Sequence, residues 1–383
     1  MLGAGAAALL ARNAAASDPF KLGWVRPTTG RLASSFAPLY VGGLIAIDEI
    51  NATGGMLGRP IVRDEQDDEA SPAKEPGIAR KLADGGLHYI CGPTGSSQSL
   101  AALASTTAAR IISTTYGLAA ALGDGRKYPY HYQMIFNSDQ QAIAVVRHLV
   151  ENLKLRKIGI LQENTAYGEE IAVSTRRELK KRGLEPVDVQ VFPVNAPDLS
   201  AYVSNLQKSG AEALCIWLAG TPQIAMAFNA MNSLNWHPPI AGHTSLFDEA
   251  LLKLVSADSL QNVYGTFYRA FTWSGTEAPA QRQQDFARKL AQYPEARGVL
   301  VNAAFSPHYD FLHLLRTVMA AERTDDVERV KQALDAVRDY PGMLGKVNLS
   351  AENHCAISAD EMVMASVVSG LDPRAKGVFR ARA

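Results

Sequence analysis

The chain has 383 residues, 47% of them hydrophobic and 20% charged, which predicts a globular protein whose large core is divided over two or three domains. Its 38 Lys and Arg residues balance 38 Asp and Glu residues, and no basic patch with interleaved aromatics occurs, so nucleic acid is not an expected partner. Beyond the first seventeen residues nothing approaches about eighteen uninterrupted apolar residues, so the mature chain is expected to be soluble and not membrane-spanning.

Residues 1–16 are interpreted as the remnant of a secretory signal peptide. The run from Gly3 to Ala11 is apolar, and Ala14 to Ala16 give an A-x-A cleavage pattern before Ser17. The positive leader that normally precedes such a run is missing. The same segment matches the GxGxxA dinucleotide-binding pattern, but no strand precedes it, so that interpretation is rejected.

Strand and helix alternate after this leader. Residues 20–25 predict a strand, and an apolar-periodic helix follows that ends near Gly54 and Gly55. A second strand begins at residues 60–63. The acidic run at residues 64–69 lacks the ligand spacing of a calcium loop and is interpreted as a solvated loop with helix-capping acids. A helix over residues 72–83 comes next.

The most informative stretch runs from residue 87 to residue 117. A buried strand breaks at Gly92-Pro93 and passes into a helix over residues 96–109, with Ser96 and Ser97 at the expected N-cap, a seat for an anionic oxygen. The next strand leads into a polar loop of Thr115, Tyr116 and Gly117. Two such loops at the carboxyl edge of a parallel sheet predict a ligand crevice. That Ser96 is only an N-cap stays an open alternative.

The second half repeats this pattern, and the chain is therefore predicted to be α/β, with two doubly wound Rossmann-like units. The tail is expected to complete both units. Strands are predicted at residues 157–162, 187–192, 213–218, 239–242 and 263–267, and helices at residues 140–153, 169–182, 199–209, 224–234, 281–292, 302–322 and 327–337. Cys91, Cys215 and Cys355 lie far apart; Cys91 and Cys215 are interpreted as buried, inert thiols, and a disulfide between two of the three stays open. No metal site or cofactor is predicted.

The chain resembles the periplasmic substrate-binding proteins of ABC importers, in the branch that binds leucine, isoleucine, valine and related ligands. The resemblance extends from about Phe20 onward and rests mainly on motifs of the first half. These motifs are residues 27–30 (PTTG), 46–55 (AIDEINATGG), 57–61 (LGRPI), 67–68 (DD), 71–73 (SPA), 79–82 (ARKL), 92–93 (GP) with Ser96, and 166–168 (AYG).

The resemblance implies a type I periplasmic binding fold, with two lobes joined by three hinge crossings and a ligand enclosed between them. One lobe would hold residues 20–136 with 266–346, and the other residues 137–265 with 347–378. It also implies a periplasmic monomer that delivers its ligand to an ABC permease in the inner membrane.

The resemblance places the carboxylate-binding serine on Ser96 and the ligand-contacting tyrosine of the second lobe on Tyr167. The acid that pairs with an amino acid's ammonium should follow Gly242, where the sequence reads His243-Thr-Ser; Asp248 comes several residues too late. The position of Thr221 is aromatic in the family. The full set of candidate ligand-binding residues is Ser35, Phe36, Gly95, Ser96, Ser97, Thr115, Tyr116, Gly117, Tyr167, Thr221, Thr244 and Tyr268.

Without an acid at the expected place, a buried ammonium would lack a partner, so a hydrophobic or aromatic carboxylic acid is slightly favoured over a branched-chain amino acid. Ser96, nearby backbone N–H groups and Arg31 would hold the carboxylate. The apolar remainder would be lined by the aromatic residues Phe36, Tyr116, Tyr167, Tyr268 and Phe271, although packing within one lobe is an alternative for Phe36, Tyr268 and Phe271.

Three classes of function compete. The favoured one is an extracytoplasmic solute-binding protein. An enzyme is not expected, because no GxSxG, HExxH or P-loop pattern occurs and the eight histidines are scattered. The alternative is a ligand-sensing receptor or regulator of the same fold that binds an amide, urea or amino acid, although a secretory leader argues against a cytosolic regulator.

Overall fold

Parallel strands form two sheets in the computed structural model, which describes residues 18–30, 32–248, 250–296, 305–376 and 378–383. The first sheet has four strands in the order β2-β1-β3-β4, all parallel. Its strands are β1 (Phe20–Arg26), β2 (Ile61–Asp67), β3 (Tyr89–Thr94) and β4 (Ile112–Tyr116). The predicted signal segment and Arg31 lie outside the described residues.

The second sheet has six strands in the order β13-β9-β8-β7-β5-β6. Five of them pair in parallel, and β13 runs antiparallel to β9 at one edge. The strands are β5 (Ile158–Glu163), β6 (Asp188–Phe192), β7 (Ala213–Trp217), β8 (Ile240–Gly242), β9 (Val263–Tyr268) and β13 (Met362–Ser366). Short two-residue strands form two further pairs, β10 (Thr272–Trp273) with β14 (Arg380–Ala381) and β11 (Tyr340–Pro341) with β12 (Lys346–Val347).

Helices connect the strands, as the crossover between parallel strands requires. The first sheet has α1 (Ala33–Phe36), α2 (Val41–Ala52), α3 (Glu75–Asp84) and α4 (Ser96–Ala108). The second has α5 (Ser138–Val146), α6 (Ala166–Lys180), α7 (Ser200–Lys208), α8 (Thr221–Ser233) and α9 (Leu251–Leu254). The tail contributes α10 (Gln281–Leu290), α11 (Ser306–Glu322) and α12 (Val327–Asp335), and α11 packs along α2. The prediction of an α/β fold with parallel sheets is confirmed.

The chain passes between the two halves along neighbouring segments. The N–H of Gln133 donates to the carbonyl of His354, and the N–H of Ala356 donates to the carbonyl of Gln133, both at 2.9 Å. Immediately afterwards α5 begins with a capping box in which Asn137 accepts from the N–H of Gln140. The lobe boundaries at residues 136, 266 and 346 stay a prediction.

The acidic run does not form the solvated loop that the sequence predicts. Residues 64–67 extend β2, and Asp68 is completely buried together with Glu75 of α3. Because β2 is the edge strand of its sheet, its exposed side accommodates charged residues that would be excluded from a central strand. Cys91, Cys215 and Cys355 are all buried and free, so none of them forms a disulfide.

Candidate functional site

A cavity of about 320 Å³ lies where the carboxyl ends of the strands of both sheets face each other. Its volume is at the lower end of the range for small-molecule sites, about 300–1,000 Å³. The candidate residues that line it from the first half are Ser35, Phe36, Gly95, Ser96, Ser97 and Tyr116, and those from the second half are Tyr167, Thr221, Thr244 and Tyr268. The structure therefore brings ten of the twelve candidate residues to one cavity.

Thr115 and Gly117 do not line this cavity. Side chains alternate along a strand, so Thr115 points away when its neighbour Tyr116 faces the cavity. The Oγ1 of Thr115 lies 3.4 Å from Nε2 of the buried His131. The carbonyl of Gly117 accepts a hydrogen bond of 2.8 Å from the side-chain amide of Gln133. Both residues thus belong to the packing behind the cavity wall.

Ser96 is oriented as a hydrogen-bond donor to the cavity. Its Oγ accepts the N–H groups of Leu118 and Ala119, each at 3.0 Å, which occupies both lone pairs of the hydroxyl. The hydroxyl proton has no acceptor among the described residues. The N-cap of α4 is Gly95, at φ 100°, so the prediction of the N-cap at Ser96 or Ser97 is wrong by one or two residues.

The N-terminus of α4 adds to this donor. The first N–H groups of a helix have no partner inside the helix and attract anions. Because α4 has 13 residues and its first residue, Ser96, lines the cavity, its positive end faces a ligand there. Ser96 and the start of α4 together form a seat for a carboxylate that contains no charged side chain.

Tyr167 lies on the opposite wall and is held in place by its own hydroxyl. It is 5% exposed, and its hydroxyl donates to Oε1 of Gln141 at 3.2 Å. Its ring lies 5.2 Å from the ring of His243. Gly168 must follow it, because a Cβ there would lie 2.0 Å from the carbonyl oxygen of Glu163. The ring of Tyr167, rather than its hydroxyl, is what this residue presents to a ligand.

Asp248 also lines the cavity, although its place in the sequence was expected to be too late. The 3-10 turn Thr244–Phe247 folds the chain back, with the N–H of Asp248 donating to the carbonyl of Ser245 at 3.1 Å. The carboxylate is 7% exposed and accepts the hydroxyl of Thr221 and, at 2.9 Å, the N–H of Ala250. A turn of this kind brings a residue several positions after Gly242 back towards the cavity. Counting positions along the sequence does not show this.

Glu163 is a second carboxylate in the cavity wall that the sequence reasoning missed. It ends β5, is 6% exposed, and accepts hydrogen bonds from the hydroxyl of Thr165 at 2.8 Å and the N–H of Ala219 at 3.0 Å. Its position at the carboxyl end of a central parallel strand was the available signal. Glu163 thus accepts a hydrogen bond from Ala219, and Asp248 accepts one from Thr221, two residues further along the chain.

His243 is neutral in this environment, because burial lowers its pKa to about 3. Its Nδ1 accepts the N–H of Ser245 at 3.1 Å, which leaves the proton of the neutral ring on Nε2. The described residues of the cavity wall therefore carry two carboxylates, a neutral imidazole and no lysine or arginine. Arg31 and Glu249 lie outside the described residues.

Every helix in the described part of the chain is too short or too polar to cross a lipid bilayer.

The chain is similar to binding proteins over nearly its whole length. A family model described as a periplasmic binding protein matches residues 19–371. An "Amino acid binding protein" of Pseudomonas aeruginosa is 29% identical over 192 residues, which are 50% of this chain and 51% of that protein. A "Leu/Ile/Val-binding protein homolog 7" of Brucella melitensis is 27% identical over 350 residues, covering 86% of this chain and 84% of that protein.

The fold is also found in solved structures. A solute-binding protein of an ABC transporter from Rhodopseudomonas palustris, solved in complex with 3,4-dihydroxybenzoic acid, superposes with a TM-score of 0.77. It is 17% identical, and the match covers 91% of this chain and 93% of that one. At this identity the likeness concerns the fold alone.

Proposed function

The chain belongs to the periplasmic binding protein family, and we propose that it is the periplasmic component of an ABC importer that captures an amino acid and delivers it to a permease. The resemblance stated from the sequence motifs is thereby confirmed, and so is the type I periplasmic binding fold. The chain is a solute-binding protein of the ABC transporter type, a class that binds without catalysing a reaction. Its ligand, its delivery to a permease and its periplasmic location belong to the proposal.

The observation that carries the choice of ligand is that Ser96 and Asp248 line the same cavity. A carboxylate at Ser96 would accept the serine hydroxyl and the N–H groups at the start of α4. An ammonium at Asp248 would complete the coordination of a carboxylate that already accepts one hydroxyl and one N–H. These two groups are the constant part of every free amino acid.

The charge of the cavity wall disfavours a carboxylic acid without an ammonium group, the ligand class that the sequence slightly favoured. A carboxylic acid without an ammonium would bring a negative charge close to the carboxylate of Asp248, with no cationic side chain among the described residues of the wall. Burying like charges together without a counter-ion is costly. A zwitterion adds no net charge and supplies the cation that Asp248 lacks, so it is preferred over an acid of the same shape.

The rest of the cavity suits a side chain that is mainly apolar. The apolar part of the cavity wall comes from both halves. It is formed by Leu32, Phe36, Leu39 and Leu118 on the first side and by Phe267 on the second. The names of the two relatives, one for amino acids and one for leucine, isoleucine and valine, point the same way. Aromatic acids stay the competing ligand class, since the protein from Rhodopseudomonas palustris was solved with one.

The test compares ligands that differ only in the ammonium group. The protein is unfolded, stripped of retained ligand and refolded, and its thermal stability is measured with L-leucine against 4-methylpentanoate and with L-phenylalanine against 3-phenylpropanoate. A ligand at a hundred times its Kd raises the free energy of unfolding by about 2.7 kcal/mol. We expect stabilisation by at least one of the amino acids and none by its ammonium-free partner; stabilisation by the acids alone would overturn the proposed ligand.

Asp248→Asn provides the matched variant. The amide oxygen can still accept the N–H of Ala250, and the amide NH2 can donate to the hydroxyl oxygen of Thr221, but the negative charge is removed. We therefore expect amino-acid affinity to fall at least a hundredfold, as for a buried ionic hydrogen bond. Asp198→Asn is the control, because Asp198 likewise accepts a hydroxyl and an N–H from Ser200 but is exposed. Equal affinities in the two variants would show that Asp248 does not bind the ammonium.

The proposed importer component and the alternative, a ligand-sensing receptor, differ in the protein to which they bind. Cross-linking of the tagged protein in intact cells, with and without ligand, followed by identification of the membrane protein attached to it, separates them. An attached permease supports the importer component, and an attached signalling protein supports the receptor.

A further inference from the structure

Tyr268 lines the cavity and has a buried hydroxyl that the proposed amino-acid contacts leave unused. Tyr268 is the last residue of β9, is 1% exposed and lines the cavity. Its hydroxyl has no hydrogen-bond partner among the described residues. Burial raises the pKa of this phenol well above its usual range, so the group remains protonated and able to donate.

The ring of Tyr268 is fixed, which fixes the position of the hydroxyl. Its centroid lies 5.0 Å from that of Phe136, where the chain crosses between the halves, and 6.3 Å from that of Phe267. A phenylalanine would make the same ring contacts without a buried polar atom. The hydroxyls of the other fully buried tyrosines in the described chain have acceptors. That of Tyr40 donates to the carbonyl of Val25, and that of Tyr132 donates to Asp335.

A second phenol is part of the same cavity wall. Tyr116, at the end of β4 in the first sheet, also lines the cavity, and no described residue hydrogen-bonds its hydroxyl. Besides burial, the nearby phenol of Tyr116 helps to raise the pKa of Tyr268. They come from different sheets, so the cavity has two uncharged hydroxyl groups in addition to the seats for the carboxylate and the ammonium.

We propose that the Tyr268 hydroxyl binds an oxygen atom on the ligand's side chain, so that the site selects amino acids with a side-chain hydroxyl or carbonyl over hydrocarbons of the same shape. This inference rests on the proposed function, because it concerns the side chain of an amino acid held at Ser96 and Asp248. A hydrocarbon side chain would close the cavity over an unpaired hydroxyl, whereas an oxygen would pair with it. Sites built in this way reject the analogue that lacks the polar group much more strongly than apolar sites discriminate by size.

The test uses pairs of amino acids with nearly the same shape. Dissociation constants are measured by calorimetry for threonine against valine and for tyrosine against phenylalanine, with the stripped, refolded wild-type protein and with Tyr268→Phe. In at least one pair we expect the wild type to prefer the oxygen-bearing member by tenfold or more, and Tyr268→Phe to reduce that preference at least fivefold. Tyr264→Phe, on the same strand but outside the cavity wall, is the control and should keep the preference.

A second readout does not need the ligand. Because Tyr268→Phe removes an unpaired buried hydroxyl, the ligand-free variant should melt at the same or a higher temperature than the wild type. A lower melting temperature would show that the hydroxyl has a structural partner, and would overturn the inference.

The outcomes distinguish the two proposals. If amino acids bind but the preference within both pairs is the same in wild type and Tyr268→Phe, or if the hydrocarbon is preferred, the inference about the side chain is overturned and the proposed function stands. If no amino acid binds while acids lacking an ammonium do, the proposed ligand fails and the inference fails with it.

Discussion

At the scale of single residues, the carboxylate seat depends on how the hydroxyl of Ser96 is engaged. A serine with free lone pairs can accept from a ligand or donate to it. In Ser96 the N–H groups of Leu118 and Ala119 occupy the lone pairs, so the side chain can only donate. The same contacts connect the start of α4 to the loop after β4, so the side chain that we propose as a ligand donor also organises the cavity wall.

Ser96→Ala should therefore reduce both stability and affinity. The loss of Oγ leaves two buried N–H groups without an acceptor, which costs about 1–3 kcal/mol. It also removes the donor to the ligand carboxylate, a charge-assisted hydrogen bond, so we expect Kd to rise about tenfold or more. Thermal melting of the ligand-free protein and calorimetry with the bound amino acid measure the two effects separately.

Ser99→Ala is the control for this change. Ser99 lies one turn further along α4, is fully buried, and its Oγ donates to the carbonyl of Gly95 at 2.8 Å, but it does not line the cavity. It should reduce stability and leave affinity unchanged. If Ser96→Ala also leaves affinity unchanged, Ser96 has a structural role only, which is the alternative that the sequence left open.

Most residues of the candidate site could be found from the sequence, and the exceptions have physical causes. Ser96 and Tyr167 follow strands and begin helices, a local pattern that is visible without a structure. Asp248 reaches the cavity through a 3-10 turn, and Thr115 is turned away from it by the alternation of β4. A turn, or the alternation of side chains along a strand, can shift by one or more sequence positions which residue reaches a site. Family motifs specify neither the turn nor the alternation.

At the scale of elements, the junction of β2 and α3 contains a buried pair of carboxyl groups. Asp68 and Glu75 are almost completely buried, and neither Oδ2 of Asp68 nor Oε1 of Glu75 has a donor among the described residues. Burial, and then the neighbouring Asp68, raise the pKa of Glu75 to about 10. The pair therefore shares a proton at neutral pH, and this junction also positions Ala70 and Pro72 of the cavity wall.

Glu75→Gln should make stability less dependent on pH. In the unfolded chain Glu75 releases its proton near pH 4.5, whereas the folded protein keeps it to about pH 10, so the wild type loses stability as the pH rises between these values. Glutamine carries its own N–H donor for Asp68 and needs no proton. We expect the stability of the variant to match that of the wild type near pH 4.5 and to exceed it by up to about 5 kcal/mol at pH 8, since each pH unit in this range corresponds to about 1.4 kcal/mol.

Urea denaturation at a series of pH values measures this difference. Glu69→Gln serves as the control, because Glu69 lies beside the pair but is exposed and forms an ion pair with Lys74. The free energy of unfolding of Glu69→Gln should follow that of the wild type at every pH. If the free energy of unfolding of Glu75→Gln depends on pH in the same way as that of the wild type, Glu75 is ionised in the folded protein.

The order of strands and helices was the part of the fold best predicted from the sequence. The alternation of short apolar runs with periodic segments gave nearly every strand and long helix within a few residues. It missed that the acidic residues 64–67 belong to β2, because charge on the open side of an edge strand has no effect on the pairing of its backbone. It also took residues 140–153 as one helix, whereas α5 ends at Val146 and a π-helical turn, Arg147–Asn152, follows.

At the scale of the whole molecule, hydrogen bonds join the two halves beside the cavity. The N–H of Ala166, in the first turn of α6, donates to Oγ of Ser97 at 3.3 Å. The N–H of Ala121 donates to Oε1 of Glu170 at 3.1 Å. Each bond joins a residue of the first half to one of α6, so the structure shows the two halves in contact beside the cavity.

We infer that binding closes two lobes with the boundaries that the resemblance implies, and that these two amides report the closure. Ala166 is the first residue of α6 and Ala121 is the second residue of the 3-10 turn Ala120–Gly123, so neither N–H has an acceptor within its own turn when the lobes separate. Hydrogen exchange measured with and without ligand should show at least tenfold slower exchange at both amides in the bound protein. The amide of Ser99, bonded within one half to Gly95, should change much less.

The same experiment tests the lobes as units. If residues 20–136 and 137–265 move as rigid bodies, protection should change at the facing surfaces and at the crossings near residues 136, 266 and 346, and stay constant inside each sheet. Strands such as β3 and β7, whose amides bond within one sheet, would then exchange alike in both states. Equal exchange at Ala121 and Ala166 in both states would mean that the halves are already closed without ligand, and that a ligand enters by a local opening instead.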